Sequence, residues 1–248
     1  NVLGEGLMMW TNPIANTDAG SDGQLGLANA PGTGGATSSG QGGQVRGWRS
    51  LVLMLPLLLG LAPHSAMAQS ISSSYDGTGT VVEIDGKTYT IQGGALSGNG
   101  DNLFHSFDDF NLSRGEIADF LSTPGIQNIL SRVVGGDPSI INGLIQVTGS
   151  DANLFLINPV GMVFGPDAQL DLSGAFAATT ATGIGFEDGI FQVLDDNDYA
   201  LLNGDPNMFM FQLANPGAIV NAGSLEVSEG EGVALVGGNV VSTGTITA

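Results

Sequence analysis

Apolar and polar side chains alternate with a period of two along much of the chain after Gln69, and turn residues interrupt the alternation every few positions. Thr80 to Ile91 contains two short runs of β-branched and aromatic residues around an Asp-Gly pair, which predicts a hairpin. Leu170-Asp171-Leu172 and Leu225-Glu226-Val227 alternate apolar with acidic side chains, so one strand face is expected in a core and the other in water. The pattern predicts an all-β protein built of short strands.

The most apolar segment of this part of the chain runs from Asn153 to Gly174 and contains two X-Pro pairs but no basic residue. Asn158-Pro159-Val160-Gly161 places Asn, Pro and Gly at the positions that a type I turn favours. The segment is therefore expected to be strand, turn, strand.

A repeat near the C-terminal end indicates how the strands are arranged. Ile219 to Leu225 matches Val240 to Ile246 position by position at an offset of 21, and Phe164 to Leu172 has the same spacing of core residues, with Ala168 at the glycine position. A period near 21 with glycine turns is typical of a solenoid. The leucine and asparagine ladder of leucine-rich repeats is absent, so we predict a parallel β-helix of at most about nine coils.

Two regions depart from the repeat. Residues 183–207 are acidic and are expected to leave the helix as an excursion, with a hairpin whose Phe191, Val193, Tyr199 and Leu201 cover one flank. Ile117 to Val134 fits a short helix and a pair of strands equally well, because Pro-Gly precedes its second half and Gly-Gly follows it.

A processing signal divides the chain. Arg46 and Arg49 precede an apolar run of about 12 residues, too short for a membrane span of about 20, and Ala66 and Ala68 form the A-x-A arrangement that signal peptidase cleaves before Gln69. We therefore expect an unstructured lead over residues 1–44, a signal peptide over 45–68 and a mature domain over 69–248.

Two further expectations concern the translation start and the C-terminal end of the sequence. Our hypothesis is that translation starts near Val45, which would leave the lead untranslated; the rival interpretation is an N-terminal extension that tunes export. Because the sequence stops at Ala248 in the middle of a repeat, we expect more coils to follow in the natural protein.

Composition excludes several classes of protein. The formal net charge is -19, and after Gln69 only Lys87, Arg114 and Arg132 stand against 21 acidic residues. A nucleic-acid backbone requires clustered Lys and Arg, so no nucleic-acid partner is expected. The chain has no cysteine, so stability must come from burial and backbone hydrogen bonds.

Candidate chemistry is sparse, so neither catalysis nor a cofactor or metal is expected. A polysaccharide lyase would need a basic residue and a clamp for the sugar acid, whereas Lys87, Arg114 and Arg132 are dispersed along the chain. Glycoside hydrolysis would need a pair of carboxylates, but Asp108 and Asp109 are neighbours that point to opposite faces of a strand. Asp195, Asp196 and Asp198 are expected to be solvated loop acids, and His105, between two phenylalanines, a packed or surface residue. Gly98 to Leu103 is similar to a calcium-binding nonapeptide but is one residue short and occurs once.

Four segments together resemble a known family. They are Asp101 to Phe107, Asn128 to Gly136, Ser139 to Ile145 and Ala152 to Pro159. In this order they are similar to the secretion domain of two-partner secretion exoproteins, the N-terminal haemagglutination-activity domain of filamentous haemagglutinin-like adhesins. The resemblance covers essentially the whole mature chain.

The resemblance implies a fold and a route of export. The fold is a right-handed single-stranded parallel β-helix with an N-terminal cap and extra-helical hairpins. The route uses a signal peptide, signal peptidase and the general secretory machinery to reach the periplasm of a Gram-negative bacterium, where a dedicated outer-membrane transporter recognises the domain. The product is then secreted or displayed at the cell surface, and a host or cell-surface receptor would be bound through regions beyond Ala248. A carbohydrate-active β-helix enzyme and a plain surface-matrix solenoid stay as alternatives.

The family motif is altered here. Its Asn-Pro-Asn-Gly-Ile sequence appears as Asn158 to Met162 with Val160 in place of the second Asn, while its Asn-Pro-Asn-Leu motif and the Cys pair of some relatives are absent. The resemblance nevertheless implies a transporter-recognition motif, for which the candidates are Asn153, Leu154, Asn158, Pro159 and Gly161. The alternative is that these asparagines only satisfy backbone groups at bends of the solenoid.

Overall fold

The computed structural model describes residues 70–248, so the predicted lead, the signal peptide and the cleavage positions Ala66, Ala68 and Gln69 lie outside the described residues. The elements in chain order are β1 (Ile71–Ser73), β2 (Thr80–Asp85), β3 (Thr88–Gly93), β4 (Ala95–Leu96), β5 (Asn102–Phe110), β6 (Ile117–Leu121), β7 (Asn128–Val133), β8 (Ser139–Ile141), β9 (Leu144–Thr148), β10 (Asn153–Ile157), β11 (Gly161–Phe164), β12 (Gln169–Asp171), β13 (Phe176–Thr179), β14 (Gly183–Gly185), β15 (Ile190–Gln192), a 3-10 helix (Tyr199–Leu201), β16 (Met208–Met210), β17 (Ala218–Asn221), β18 (Ser224–Glu226), β19 (Val233–Val236), β20 (Asn239–Ser242) and β21 (Thr245–Thr247). Between residues 70 and 248 there is no helix with the length and hydropathy that crossing a membrane requires.

Three sheets of parallel strands form the coils. Sheet 1 has the order β1-β5-β7-β10-β13-β19, sheet 2 the order β2-β3-β6-β9-β12-β18-β21, and sheet 3 the order β8-β11-β17-β20. The chain visits sheets 1, 3 and 2 in turn, and each strand pairs with the strand one coil later. The predicted parallel β-helix is confirmed.

The register of the last coils confirms the predicted repeat. Ile219 pairs with Val240 and Leu225 with Ile246, so the coil that carries them is 21 residues long. Gly223 lies at the corner between sheets 3 and 2, where a Cβ atom would come within 2.6 Å of the carbonyl oxygen of Gly165. The repeat therefore requires a small residue at this corner because adjacent coils touch there.

Antiparallel strands cap the N-terminal end. The hairpin predicted at Thr80 to Ile91 is confirmed as β2 and β3, with its turn at Gly86-Lys87 and Gly86 at a φ of +60°. β1 and β4 pair antiparallel with β5, the first strand of the parallel stack in sheet 1. Residues 117–134 contain two strands, β6 and β7, so the helical alternative for this region is wrong.

The predicted excursion is confirmed and forms a fourth, antiparallel sheet with the order β15-β14-β16. We call residues 183–210 the strap. Phe191 and Val193 are buried as predicted and Tyr199 is half-buried, but Leu201 is 51% exposed and Leu202 is buried instead. The chain forms a 3-10 helix here, so the strand alternation that predicted Leu201 does not apply.

The interior is apolar and the outer face of sheet 2 is polar. In sheet 1, Leu103, Ile129 and Leu154 are stacked in register and buried inside the coils. In the predicted alternating segments, Leu172, Leu225 and Val227 are buried, Leu170 is half-buried, and Asp171 and Glu226 are exposed. The predicted inside and outside assignment is therefore confirmed, with full burial at three of the four apolar positions.

A histidine lies inside the coils. His105 is 0% exposed and packs against Phe107 and Phe120, with ring centroids 6.2 and 5.8 Å away. Its Nδ1 atom lies 3.4 Å from the hydroxyl of Thr80. Burial lowers the pKa of His105 from 6.5 to about 3, because the imidazolium would lose its hydration. The ring is therefore neutral at neutral pH.

We expect His105 to make the domain less stable as pH falls. The folded state disfavours protonation, so the contribution of this group is complete above pH 6.5 and is lost as pH falls toward about 3, at up to about 1.4 kcal/mol per pH unit. Urea unfolding of the wild type and of His105→Gln between pH 7 and 5 measures it. The wild type should lose stability more steeply than the variant, and equal slopes would contradict the assignment.

Candidate functional site

The candidate recognition segment begins with β10, which lies in the middle of sheet 1. Leu154 faces the interior, where it is 1% exposed and lies between Ile129 of the preceding coil and Phe176 of the following one. Leu156 is buried as well. In the folded domain the apolar side chains of this strand therefore belong to the core.

Asn153 is the last member of an asparagine ladder across three coils. The Nδ2 atom of Asn153 donates to Oδ1 of Asn128 at 3.0 Å, and Nδ2 of Asn128 donates to Oδ1 of Asn102 at 2.9 Å. The three residues are paired in register at the start of β5, β7 and β10. Asn102 and Asn128 are buried, and Asn153 is half-buried.

Both ends of the ladder bond to backbone. Asn153 Oδ1 accepts from the amide of Ala175 at 3.0 Å, and Asn102 Nδ2 donates to the carbonyl oxygens of Leu202 and Gly204 at 2.8 Å. An unsatisfied buried amide costs about 1–3 kcal/mol. The ladder avoids this cost for its amides and joins three coils to one another and to the strap.

Asn158 organises the turn that follows β10. The amide of Gly161 donates to the carbonyl oxygen of Asn158 at 3.1 Å, which confirms the predicted four-residue turn. The Asn158 side chain accepts from the amide of Val160 at 3.0 Å and donates to Asp137 O at 2.9 Å and Ser139 Oγ at 3.0 Å. The residue is 0% exposed. Its side chain is thus fully used within the turn and the preceding coil.

The other residues of the turn differ in exposure. Gly161 has a φ of +135°, and a Cβ atom there would lie 3.0 Å from Ala218 O, so the close approach of the next coil favours glycine. Pro159 is buried, and its carbonyl oxygen accepts from the amide of Gly217 at 2.9 Å. Val160 is 44% exposed. The position at which the chain departs from the family motif is therefore the exposed one.

The predicted site residues offer amide and backbone hydrogen bonds and apolar surface. The acidic candidates lie elsewhere: Asp108 is exposed in β5, and Asp109 accepts from Ser72 Oγ at 3.1 Å. His105 is enclosed in the core. Across residues 70–248, no group of three or more His, Asp or Glu side chains is arranged to hold a metal ion.

Sequence reasoning named Asn153 but not its partners in the ladder. Asn102, Asn128 and Asn153 are separated by 26 and 25 residues, longer than the 21-residue repeat near the C-terminal end. A search for asparagines at variable coil length, each followed by Leu or Ile, would have found them. The ladder adds Asn102 and Asn128 to the candidate site.

Comparison with known proteins found a matching family and a similar solved structure. The family model described as TPS secretion domain matches residues 68–248. A crystal structure of the HMW1 secretion domain from Haemophilus influenzae is 21% identical, with a TM-score of 0.45, and the match covers 70% of this chain and 40% of that chain. The chain thus spans well under half the length of this solved relative. No curated protein matches the sequence.

Replacing the middle of the ladder should destabilise the fold. Asn128→Ala removes two side-chain hydrogen bonds and leaves the amides of its neighbours without their partner, so we expect a loss of about 1–3 kcal/mol. The exposed Asn239 in β20 is the control, and Asn239→Ala should stay within about 0.5 kcal/mol. Urea unfolding measures both, and similar losses would mean that the ladder contributes nothing specific.

Proposed function

Because the chain belongs to the family of TPS (two-partner secretion) secretion domains, we propose that it is the targeting domain of a large exported adhesin-like exoprotein and has no catalysis of its own. In this proposal an outer-membrane transporter recognises the domain in the periplasm of a Gram-negative bacterium and brings the exoprotein to the cell surface or releases it. The observation that carries the proposal is the family match over residues 68–248, which includes every coil. Any receptor would be bound by other parts of the exoprotein.

We infer that the transporter meets the chain before it folds. Asn158 and Leu154 are 0% and 1% exposed in the coils, so a partner cannot contact their side chains on the folded domain. In an extended chain both side chains are accessible. The burial of these residues therefore supports recognition of the unfolded segment.

Strand addition is the mode of recognition that suits this segment. Asn153 to Ile157 has no charge and no proline, and in the coils its backbone pairs on both sides, with β7 and β13. Before folding, those backbone groups are free to pair with a strand edge of the transporter. Backbone hydrogen bonds would supply affinity, and alternate side chains would supply selectivity.

The domain boundaries form part of the proposal. We propose that residues 45–68 are a signal peptide and that residues 69–248 are the mature domain. Signal peptidase would recognise Ala66 and Ala68 and cleave between Ala68 and Gln69. The A-x-A arrangement and a family match that begins at residue 68 support this. N-terminal sequencing of the exported protein should give Gln69 as the first residue, and any other first residue would move the boundary.

Secretion should be more sensitive than stability to loss of the Asn158 side chain. Asn158→Ala removes three buried hydrogen bonds, so we expect the domain to lose about 1–3 kcal/mol and stay folded. We expect the exported fraction to fall further than this loss explains, because the extended chain also loses a side chain that the transporter contacts. The exported fraction in cells and the unfolding free energy of the purified domain measure the two effects separately. Asn153→Ala tests the ladder end of the segment in the same way.

Asn221 is a matched control for Asn158. It is also 0% exposed, its Oδ1 accepts from the amide two residues later at 3.0 Å, and its Nδ2 donates to Ser242 Oγ in the adjacent coil at 3.2 Å. Asn221→Ala should therefore cost similar stability without a specific loss of secretion. If all three variants reduce secretion only in proportion to their lost stability, the asparagines are bend residues and the recognition proposal fails.

A further inference from the structure

The strap contacts a part of the molecule far from its own place in the sequence. It leaves the coils after β13 and leads back to β17, yet it packs on the outer face of the first coils. Phe104 of β5 and Leu130 of β7 form one apolar cluster with Phe191 and Leu202 of the strap. β5 and β7 are consequently buried on both faces over most of their length.

Arg132 of β7 is the polar centre of this contact. Its Nη1 atom donates to the carbonyl oxygens of Gln192 at 2.6 Å and Asp195 at 2.8 Å. Its Nε atom donates to Ser106 Oγ at 3.1 Å, and its Nη2 atom donates to Asp76 Oδ2 at 2.8 Å. One buried guanidinium thus joins the strap, the first coils and the N-terminal cap.

These partners offset the cost of burying the charge of Arg132. The side chain is 5% exposed, and a buried cation without partners is strongly destabilising. Desolvation raises the pKa of Asp76, but hydrogen bonds from Ser106, Thr78 and Arg132 outweigh it and lower this pKa from 3.8 to about 2. Asp76 therefore stays ionised and paired with Arg132 at all pH values near neutrality.

A second set of bonds fixes the far end of the strap to the cap. Tyr199 Oη lies 2.8 Å from Thr78 Oγ1, across 121 residues of sequence. Asn203 Oδ1 accepts from the amide of Asn99 at 2.9 Å. Asn102, the first member of the ladder, bonds to the strap backbone across 100 residues or more. Residues 199–204 therefore form hydrogen bonds with the N-terminal cap and with the start of β5.

We propose that the strap determines when the N-terminal coils become stably folded. The cap and first coils complete their packing only after residues up to Gly204 can fold against them. Until then Arg132 and Asn102 lack their carbonyl acceptors, and Phe104 and Leu130 are exposed to water. The cap and first coils therefore stay open even though their own residues come first in the sequence. The consequence for export rests on the proposed function: the N-terminal segments stay extended, and accessible to a transporter, until most of the domain has entered the periplasm.

Hydrogen exchange of the purified mature domain tests this coupling without any secretion step. Tyr199→Phe removes only the hydroxyl that contacts Thr78 and keeps the ring against Phe104, 5.1 Å away between centroids. We expect amides of β5 and of the strap to exchange roughly 2- to 10-fold faster. Amides of β17 to β21, which adjoin the strap in sequence, should change by less than about 2-fold.

Tyr89→Phe is the matched control, because its hydroxyl donates to Glu116 Oε1 at 3.3 Å and does not touch the strap. It should leave exchange in the strap unchanged. Arg132→Met should give the same pattern as Tyr199→Phe with a larger increase in exchange rates. If Arg132→Met does not fold, the result for Tyr199→Phe alone tests the proposal.

Faster exchange in the strap with β5 unchanged would overturn the proposal, because the strap would then open by itself. An equal increase in β17 to β21, or no change anywhere, would overturn it as well. A domain that shows the coupling but is not recognised by a transporter would leave this inference standing and contradict the proposed function instead.

Discussion

Backbone hydrogen bonding between successive coils is the constraint on which the rest of the structure depends. Every parallel strand leaves one row of amide and carbonyl groups unpaired until another coil lies against it, and unpaired backbone is costly when buried. At the N-terminal end no earlier coil exists among the described residues, so the chain supplies antiparallel partners itself. β1 and β4 pair with β5, and β2 pairs with β3. The cap therefore pairs with the strand edge that the parallel stack would otherwise leave open at its N-terminal end.

The same stacking decides which side chains fit at each position. A residue in one coil lies directly over its register partner in the next, so like residues form columns: Leu103, Ile129 and Leu154 inside, and Asn102, Asn128 and Asn153 at the start of their strands. An amide can donate to one neighbour and accept from the other, which suits a column, whereas a column of carboxylates would repel. The asparagine ladder and the apolar columns are two results of one geometry.

Sequence pattern predicted the features that depend on neighbours in the chain. The hairpin at Thr80 to Ile91 and the strand and turn around Asn158 follow from local alternation and turn residues. The 21-residue coil that pairs Ile219 with Val240 follows from the repeat of short segments near the C-terminal end. It left residues 117–134 undecided, since apolar spacing alone fits a helix as well as strands that meet at a turn. It missed the partners of Arg132, because three carbonyl groups about sixty residues away carry no side-chain signal. A lone arginine within the apolar strand β7 was the available hint, since a buried cation requires partners from somewhere.

If a transporter binds β10 as proposed, folding and recognition compete for the same backbone groups. The amide and carbonyl groups of β10 bond to β7 and β13 in the coils, and strand addition to a transporter would use one of those two rows. At a given moment these backbone groups can bond to a transporter or to the neighbouring coil, and not to both. Formation of the coils would therefore withdraw the recognised segment from the transporter without a separate release step. The strap follows β10 in the sequence. Under the proposal made above, Arg132 would therefore gain its carbonyl acceptors, and Phe104 its apolar cover, only after the segment around β10 had become available to a transporter.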